Sequence, residues 1–201
     1  MPYLPTRRVA ALNARQPMTA DLIRQAQRGD RVAFERLIRP EYDRLYAAAC
    51  RLLRDRFGAE DAVQDATLRC WRDLRGLRDP ERFRPWLHRL LVNAALDQAR
   101  RTRRRPVQIG GEVVERTSGR DDVAGVAEHD ALERAFQTLP MDQRVALVLT
   151  HYLGYTAPEV AAIVGVPTGT IYSRVHVGSR AMRAALAPAA TARPALTETS
   201  R

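Results

Sequence analysis

The sequence lacks lysine, has only two cysteines and contains no long apolar run. Cys50 and Cys70 stand twenty residues apart without a CxxC pair or a histidine at metal-ligand spacing, so neither a metal site nor a cofactor site is predicted. The N-terminal stretch MPYLPTRRVAALNARQP has no apolar core of signal-peptide length, and no later segment could span a bilayer. These absences predict a cytoplasmic protein with reduced thiols and no membrane insertion.

Positive charge dominates the ionisable side chains of the sequence. The formal net charge is +10, and all 33 cationic side chains are arginine, against 23 carboxylates. Such a balance favours a polyanionic partner, nucleic acid first. A GC-rich genome would also replace lysine by arginine. The positions of the arginines therefore have to distinguish codon bias from a nucleic-acid partner.

The pattern of apolar residues predicts an all-α protein of two small domains, an N-terminal helical bundle and a C-terminal helix-turn-helix domain. Between them, residues 106–133 carry seven carboxylates and two arginines, which is typical of an extended acidic linker. The predicted organisation is a flexible extension over 1–17, a first domain over 18–105, a linker over 106–130, a second domain over 131–186 and a disordered tail over 187–201.

Four helices are predicted in the first domain. Gly29 and Asp30 separate a short first helix from a second, the third runs from about Glu60 to Leu74, and the fourth follows the turn GLRDPE and ends near Arg101. The expected apolar face of the third is Val63, Ala66, Cys70 and Leu74, and that of the fourth is Phe83, Trp86, Leu87, Leu90 and Ala94.

The second domain carries a helix-turn-helix pattern. Thr156 and Glu159 form a capping box, Gly165 supplies the turn, and Thr168 opens the next helix. No carboxylate occurs between Glu159 and Glu198, so this surface can approach phosphates without repulsion. The side chains predicted to contact a DNA groove are Thr168, Thr170, Tyr172, Ser173, Arg174, His176 and Arg180.

Two other functions fit parts of this pattern. A stand-alone helix-turn-helix repressor would explain residues 150–186 but gives the first domain no role. An enzyme that cuts DNA could use Tyr172 or Ser173 as its nucleophile, although no His, Lys or carboxylate cluster is placed to activate either one.

The segment LPMDQRVALVLTHYLGYTAPEVAAIVGVPTGTIYSRV resembles the promoter-reading domain of the extracytoplasmic-function (ECF) sigma factors of bacterial RNA polymerase, within the sigma-70 family. In the first domain, AEDAVQDATLRCWRDL and FRPWLHRLLVNAALDQAR resemble two successive helices of the same family. The resemblance covers about residues 20–103 and 131–186 and implies a non-enzymatic initiation factor that binds core polymerase and opens promoter DNA.

The resemblance also implies a role for each domain. The third helix would grip the clamp helices of the largest polymerase subunit, and the second domain would meet the flap of the second-largest subunit. The implied clamp contacts are Asp61, Gln64, Asp65, Arg69 and Trp71. From the residues alone, a solvated face with Asp65 paired to Arg69 is the simpler interpretation.

The fourth helix and the loop before it would capture an unpaired base of the −10 element. The implied contacts are Leu77, Arg82, Arg89, Asn93, Arg100 and Arg101. RRTRRR adds five arginines in six residues, which predicts a steep salt dependence of DNA binding. Leu77 departs from the family's frequent aromatic residue in this loop.

The second domain would read the −35 element, with two departures from the family pattern. Tyr172 stands where an arginine is frequent, and Gly178 lies inside a helix, which predicts altered recognition. The linker would enter the polymerase active-site cleft through Glu112, Glu115, Asp121 and Asp122. An anti-sigma protein that masks both domains is a further implied partner.

Overall fold

The computed structural model describes residues 16–104, 134–136 and 138–190, and no strand occurs in these ranges. The all-α prediction is confirmed. Seven α-helices account for most of this part of the chain: α1 Gln16–Gln27, α2 Arg31–Leu53, α3 Arg56–Asp73, α4 Phe83–Arg104, α5 Met141–Leu147, α6 Ala157–Val164 and α7 Thr168–Ala190. Short 3₁₀ turns at Leu74–Gly76 and Pro80–Arg82 lie between α3 and α4. The helix α7 extends four residues into the tail that was predicted to be disordered.

Aspartates begin two of the first helices. Asp30 accepts hydrogen bonds from the amides of Val32 and Ala33, so the predicted break before α2 is present. Asp55 does the same for Phe57 and Gly58, and α3 therefore begins at Arg56 rather than at Glu60. A Cβ on Gly58 would lie 2.7 Å from the Asp55 carboxylate, which explains a glycine inside the first turn.

The predicted apolar face of α3 is confirmed, because Val63, Ala66, Cys70 and Leu74 are buried. The predicted apolar face of α4 is confirmed at Phe83, Leu87 and Ala94, which are buried. Leu91 and His88 are buried with Leu87, whereas Trp86 and Leu90 are only half-buried. The helix packs on α2, on α3 and on the second domain, so a wider arc of its surface is covered than a single stripe predicts.

The second domain consists of α5 to α7, with a π-helical turn over Val148–Tyr152 after α5. The capping box at Thr156 and Glu159 forms, and Gly165 has a φ of 79° at the turn between α6 and α7.

Gly178 is buried where α7 crosses α5, since a Cβ there would lie 3.1 Å from Leu147 Cδ1. Close helix packing therefore accounts for a glycine that the sequence suggested would alter DNA recognition.

The two domains contact each other through α2, α4 and the segment around the π-helical turn. The Arg44 guanidinium donates to the Leu153 carbonyl at 3.1 Å, and Arg51 lies 4.2 Å from the centre of the Tyr152 ring. The Tyr155 hydroxyl lies 2.6 Å from His88 Nδ1. Tyr152 and the Leu153 carbonyl, which make two of these contacts, lie at the end of the π-helical turn.

Candidate functional site

The outer face of α3 carries an exposed stripe of four residues at helical spacing: Phe57, Asp61, Gln64 and Leu68. Phe57 is 72% exposed and Leu68 is 68% exposed, so apolar side chains lie on both sides of the two predicted polar contacts. Single exposed apolar residues are common on protein surfaces, so the stripe is a candidate interface because Phe57 and Leu68 flank the predicted contacts Asp61 and Gln64. The sequence analysis missed both, although their spacing from Asp61 and Gln64 could have identified them.

The other predicted residues on α3 have partners within the chain. Arg69 donates to both oxygens of Asp65, at 3.0 and 2.6 Å, and reaches Asp97 on α4 at 3.1 Å. These hydrogen bonds raise the pKa of Arg69, and the bond to Asp65 has the largest effect. Trp71 packs edge-on against Phe34, with their ring centres 4.9 Å apart. Of the five predicted clamp contacts, Asp61 and Gln64 are exposed, and Asp61 also accepts a hydrogen bond from the Gln98 side chain at 3.3 Å.

The predicted −10 contacts lie mostly on the solvent side of α4. Arg82, Arg89, Asn93, Arg100 and Arg101 are all exposed. Arg100 also approaches Asp97 at 3.5 Å.

The loop before α4 is fixed by a residue of α1. The side-chain amide of Gln27 donates to the backbone carbonyls of Leu74 and Leu77, at 3.0 and 2.7 Å, and the backbone carbonyl of Gln27 accepts from the Arg75 guanidinium. Leu77 is half-buried and packs on the core. The predicted base-capturing loop is therefore preorganised. Leu77 anchors it by packing against the hydrophobic core.

The helix α7 presents the predicted groove contacts. Tyr172, Ser173, His176 and Arg180 are exposed, whereas Thr168 and Thr170 are half-buried. Arg174 is also half-buried, and its Nε lies 3.1 Å from Asp142 Oδ2 on α5. Asp142, Thr170, Ser173 and Arg174 line one open groove between the two helices, together with Gln143, Gly169 and Val177. Sequence reasoning missed Asp142, because nothing in the sequence places α5 beside α7.

Two buried side chains at the junction of the domains lack part of their hydrogen bonding. Neither His88 Nε2 nor Arg144 Nε and Nη1 has a partner in the described part of the chain. Burial is the main cause that lowers the pKa of Arg144, and nearby Arg54 and Arg103 lower it further. Since these two arginines belong to the first domain, the junction brings like charges together. Unsatisfied buried donors oppose the contact that Arg44, Arg51 and His88 stabilise.

His88 gives the protein a predicted sensitivity to acid. Burial, followed by the charges of Arg44 and Arg84, lowers the pKa of His88 to about 3, below its ordinary value of 6.5. The unfolded or opened chain therefore binds the proton first, and the stability from a neutral buried His88 is lost as the pH falls below about 6.5. Urea unfolding at pH 7 and pH 5 should differ by about 2 kcal/mol, and His88→Gln should reduce that difference. An unchanged difference in the variant would assign the acid sensitivity to other groups.

Cys70 is fully buried, and burial raises the pKa of its thiol to about 12. A thiol that stays protonated and inaccessible is a poor redox sensor, so Cys70 acts as a small core residue.

Some predictions have no structural counterpart in the described ranges. Glu112, Glu115, Asp121 and Asp122 lie outside them, so the linker assignment stays a prediction. Within residues 16–104, 134–136 and 138–190, no three His, Cys, Asp or Glu side chains are grouped to hold a metal ion. None of the described helices is both long enough and apolar enough to cross a membrane.

Comparisons with known proteins match both domains. Residues 37–105 match the family model of sigma-70 region 2, and residues 129–182 match that of sigma-70 region 4. The ECF RNA polymerase sigma factor SigM of Mycobacterium tuberculosis is 35% identical over 162 residues, which cover 77% of this chain and 78% of SigM. The RNA polymerase sigma-H factor of Pseudomonas aeruginosa is 28% identical over 86% of this chain and 96% of its own length. The structure of CnrH, solved in complex with the cytosolic domain of CnrY, superposes with a TM-score of 0.64 at 26% identity, over 85% of this chain and 98% of CnrH.

Proposed function

The chain belongs to the ECF sigma factors of RNA polymerase, which are transcription initiation factors and not enzymes, and from this we propose how its two domains divide promoter recognition. The first domain binds the polymerase clamp through the α3 stripe and captures unpaired −10 DNA with α4 and the loop fixed by Gln27. The second domain places α7 in the major groove of the −35 element and meets the flap. The observation that carries this division is the presence, in one chain, of an exposed partly apolar stripe on α3 and an exposed polar face on α7.

The polymerase contact is centred on the exposed stripe rather than on the ion pairs. Asp61 and Gln64 are exposed to a partner, although Asp61 also accepts from Gln98, and Leu68 and Phe57 supply apolar area beside them. Asp65 and Arg69 satisfy each other and connect α3 to α4, so they position the stripe. A few residues near the centre of an interface usually carry most of the binding energy.

The −10 contact uses a cationic surface beside one amide. Asn93 can hydrogen-bond to the edge of a base, while Arg89, Arg100 and Arg101 contact phosphates. The loop needs no reordering when a base enters, because Gln27 already holds two of its carbonyls. This lowers the entropy that DNA capture would otherwise cost.

The two domains have to separate when both promoter elements are bound. Elements centred at −10 and −35 lie roughly 25 base pairs, or about 85 Å, apart along the duplex. The domains of the free chain instead touch through the Arg44, Arg51 and His88 contacts. Residues 105–133 could span about 100 Å at roughly 3.5 Å per residue, so the connection is long enough.

The further partners follow from this role. The factor acts where core polymerase and the chromosome are, in the cytoplasm and associated with the nucleoid. CnrH is a structural relative that was solved with a protein partner, which supports a protein partner for this chain, and we propose that this partner is an anti-sigma protein. The carboxylates of the linker, Glu112, Glu115, Asp121 and Asp122, would enter the active-site cleft.

In vitro transcription tests the proposed function directly. The purified chain is added to bacterial core RNA polymerase on fragmented genomic DNA, and the transcript starts are mapped. New starts that share two spaced upstream motifs are expected. DNA binding without new starts and without affinity for core polymerase would instead favour the stand-alone repressor.

A further inference from the structure

A carboxylate stands at the edge of the proposed DNA-reading groove, where it would repel phosphates. Asp142 lies in the first turn of α5, and its side chain is 49% exposed. Its Oδ2 is 3.1 Å from Arg174 Nε, and its Oδ1 accepts from the Gln143 amide at 3.0 Å. The cap position of α5 is Pro140, whose side chain makes no capping hydrogen bond, so Asp142 is not the N-cap of that helix.

The ion pair restricts how Arg174 can present its guanidinium group. The Arg174 side chain is only 25% exposed, and its ion pair with Asp142 through Nε limits where the guanidinium can lie relative to α7. The two terminal amino groups remain, and they carry the N–H pairs that a bidentate contact to guanine O6 and N7 requires. An unrestrained arginine would have to lose its rotamer freedom on binding.

We propose that Asp142 is a positioning residue that holds the Arg174 guanidinium where it can read one G·C pair of the upstream element. The inference rests on the proposed function, because it assumes that α7 enters the major groove. It assigns Asp142 an effect opposite in sign to that of an ordinary DNA contact. The carboxylate lowers affinity for DNA in general and raises discrimination at one base pair.

The test measures both quantities with the full chain bound to core polymerase. A duplex library with a randomised upstream element first identifies the base pair whose preference is lost in Arg174→Ala. At that pair, Asp142→Ala should reduce discrimination about tenfold, while affinity for non-cognate DNA stays the same or rises. The discrimination of Asp142→Asn should lie between those of Asp142→Ala and the unaltered chain, because asparagine keeps the size of the side chain and an acceptor oxygen but loses the charge.

A control variant and the contrary outcomes separate the hypotheses. Gln143→Ala changes the same groove without removing a charge and should keep the discrimination. If Arg174→Ala loses a preference that Asp142→Ala keeps, the positioning role is wrong and the proposed function stands. If Asp142→Ala weakens cognate and non-cognate binding equally and lowers the melting temperature, its role is structural. If Arg174→Ala changes no preference at all, the assignment of α7 to the groove fails with it.

Discussion

Replacing Leu68 by glutamate is expected to weaken binding to core RNA polymerase by about a hundredfold while leaving the fold intact. Leu68 is 68% exposed, so its side chain contributes little to the core, and glutamate is a good helix former. At an interface the same change would bury a charge against the partner, which costs far more than the lost apolar contact. Affinity for core polymerase without DNA isolates this effect from promoter recognition.

Val32→Glu is the matched control for this substitution. Val32 is also an exposed apolar residue, at 57%, but it lies in the first turn of α2 and away from the stripe. Its replacement should change polymerase affinity by no more than about twofold. Asp65 is a poorer probe, because its loss would also release Arg69 from its hydrogen bonds. Normal polymerase binding by the Leu68 variant would remove the stripe from the interface.

The features predicted correctly from the sequence are those with a local cause. Asp30 and Thr156 begin helices through contacts within three residues, so their side chains identify the helix starts without knowledge of the fold. Asp55 has the same role, although the helix it caps was predicted to begin only at about Glu60. The cap also explains Gly58, because the Asp55 carboxylate occupies the space that a side chain would need there.

The features that could not be predicted depend on residues distant in sequence. Nothing in the sequence near His88 indicates that it is buried. Its hydrogen-bond partner, Tyr155, lies 67 positions later in the chain. Asp142 and Arg174 lie in separate helices, and only the close crossing at Gly178 brings those helices together. The exposed stripe on α3 is different, since the helical spacing of Phe57 and Leu68 was readable from the sequence.

The contact between the two domains leads to a second prediction, with two variants of opposite sign. Tyr155→Phe removes the hydroxyl that meets His88 and leaves both ring nitrogens of a buried histidine without a partner, so the domains should separate more readily. Arg144→Met removes a buried guanidinium with two unsatisfied nitrogens and ends its repulsion by Arg54 and Arg103. This change should hold the domains together.

Small-angle X-ray scattering of the free chain measures the separation, and promoter-dependent initiation measures its consequence. If a fraction of the molecules is open, apparent affinity scales with that fraction, so a shift of about 1.4 kcal/mol changes initiation at limiting protein about tenfold. Tyr155→Phe should expand the chain and raise initiation, whereas Arg144→Met should compact it and lower initiation. Tyr152→Phe is the control, because it keeps the ring beneath Arg51.

The opposite signs exclude an explanation by general loss of stability. Damage to the fold would lower initiation in both variants, and it would lower the melting temperature of each. The proposed closure instead requires that Arg144→Met be less active although it is at least as stable, because neutral side chains pack in such sites without the cost of burying a charge. A compact, stable Arg144→Met variant that initiates as well as the unaltered chain would mean that opening does not limit promoter binding.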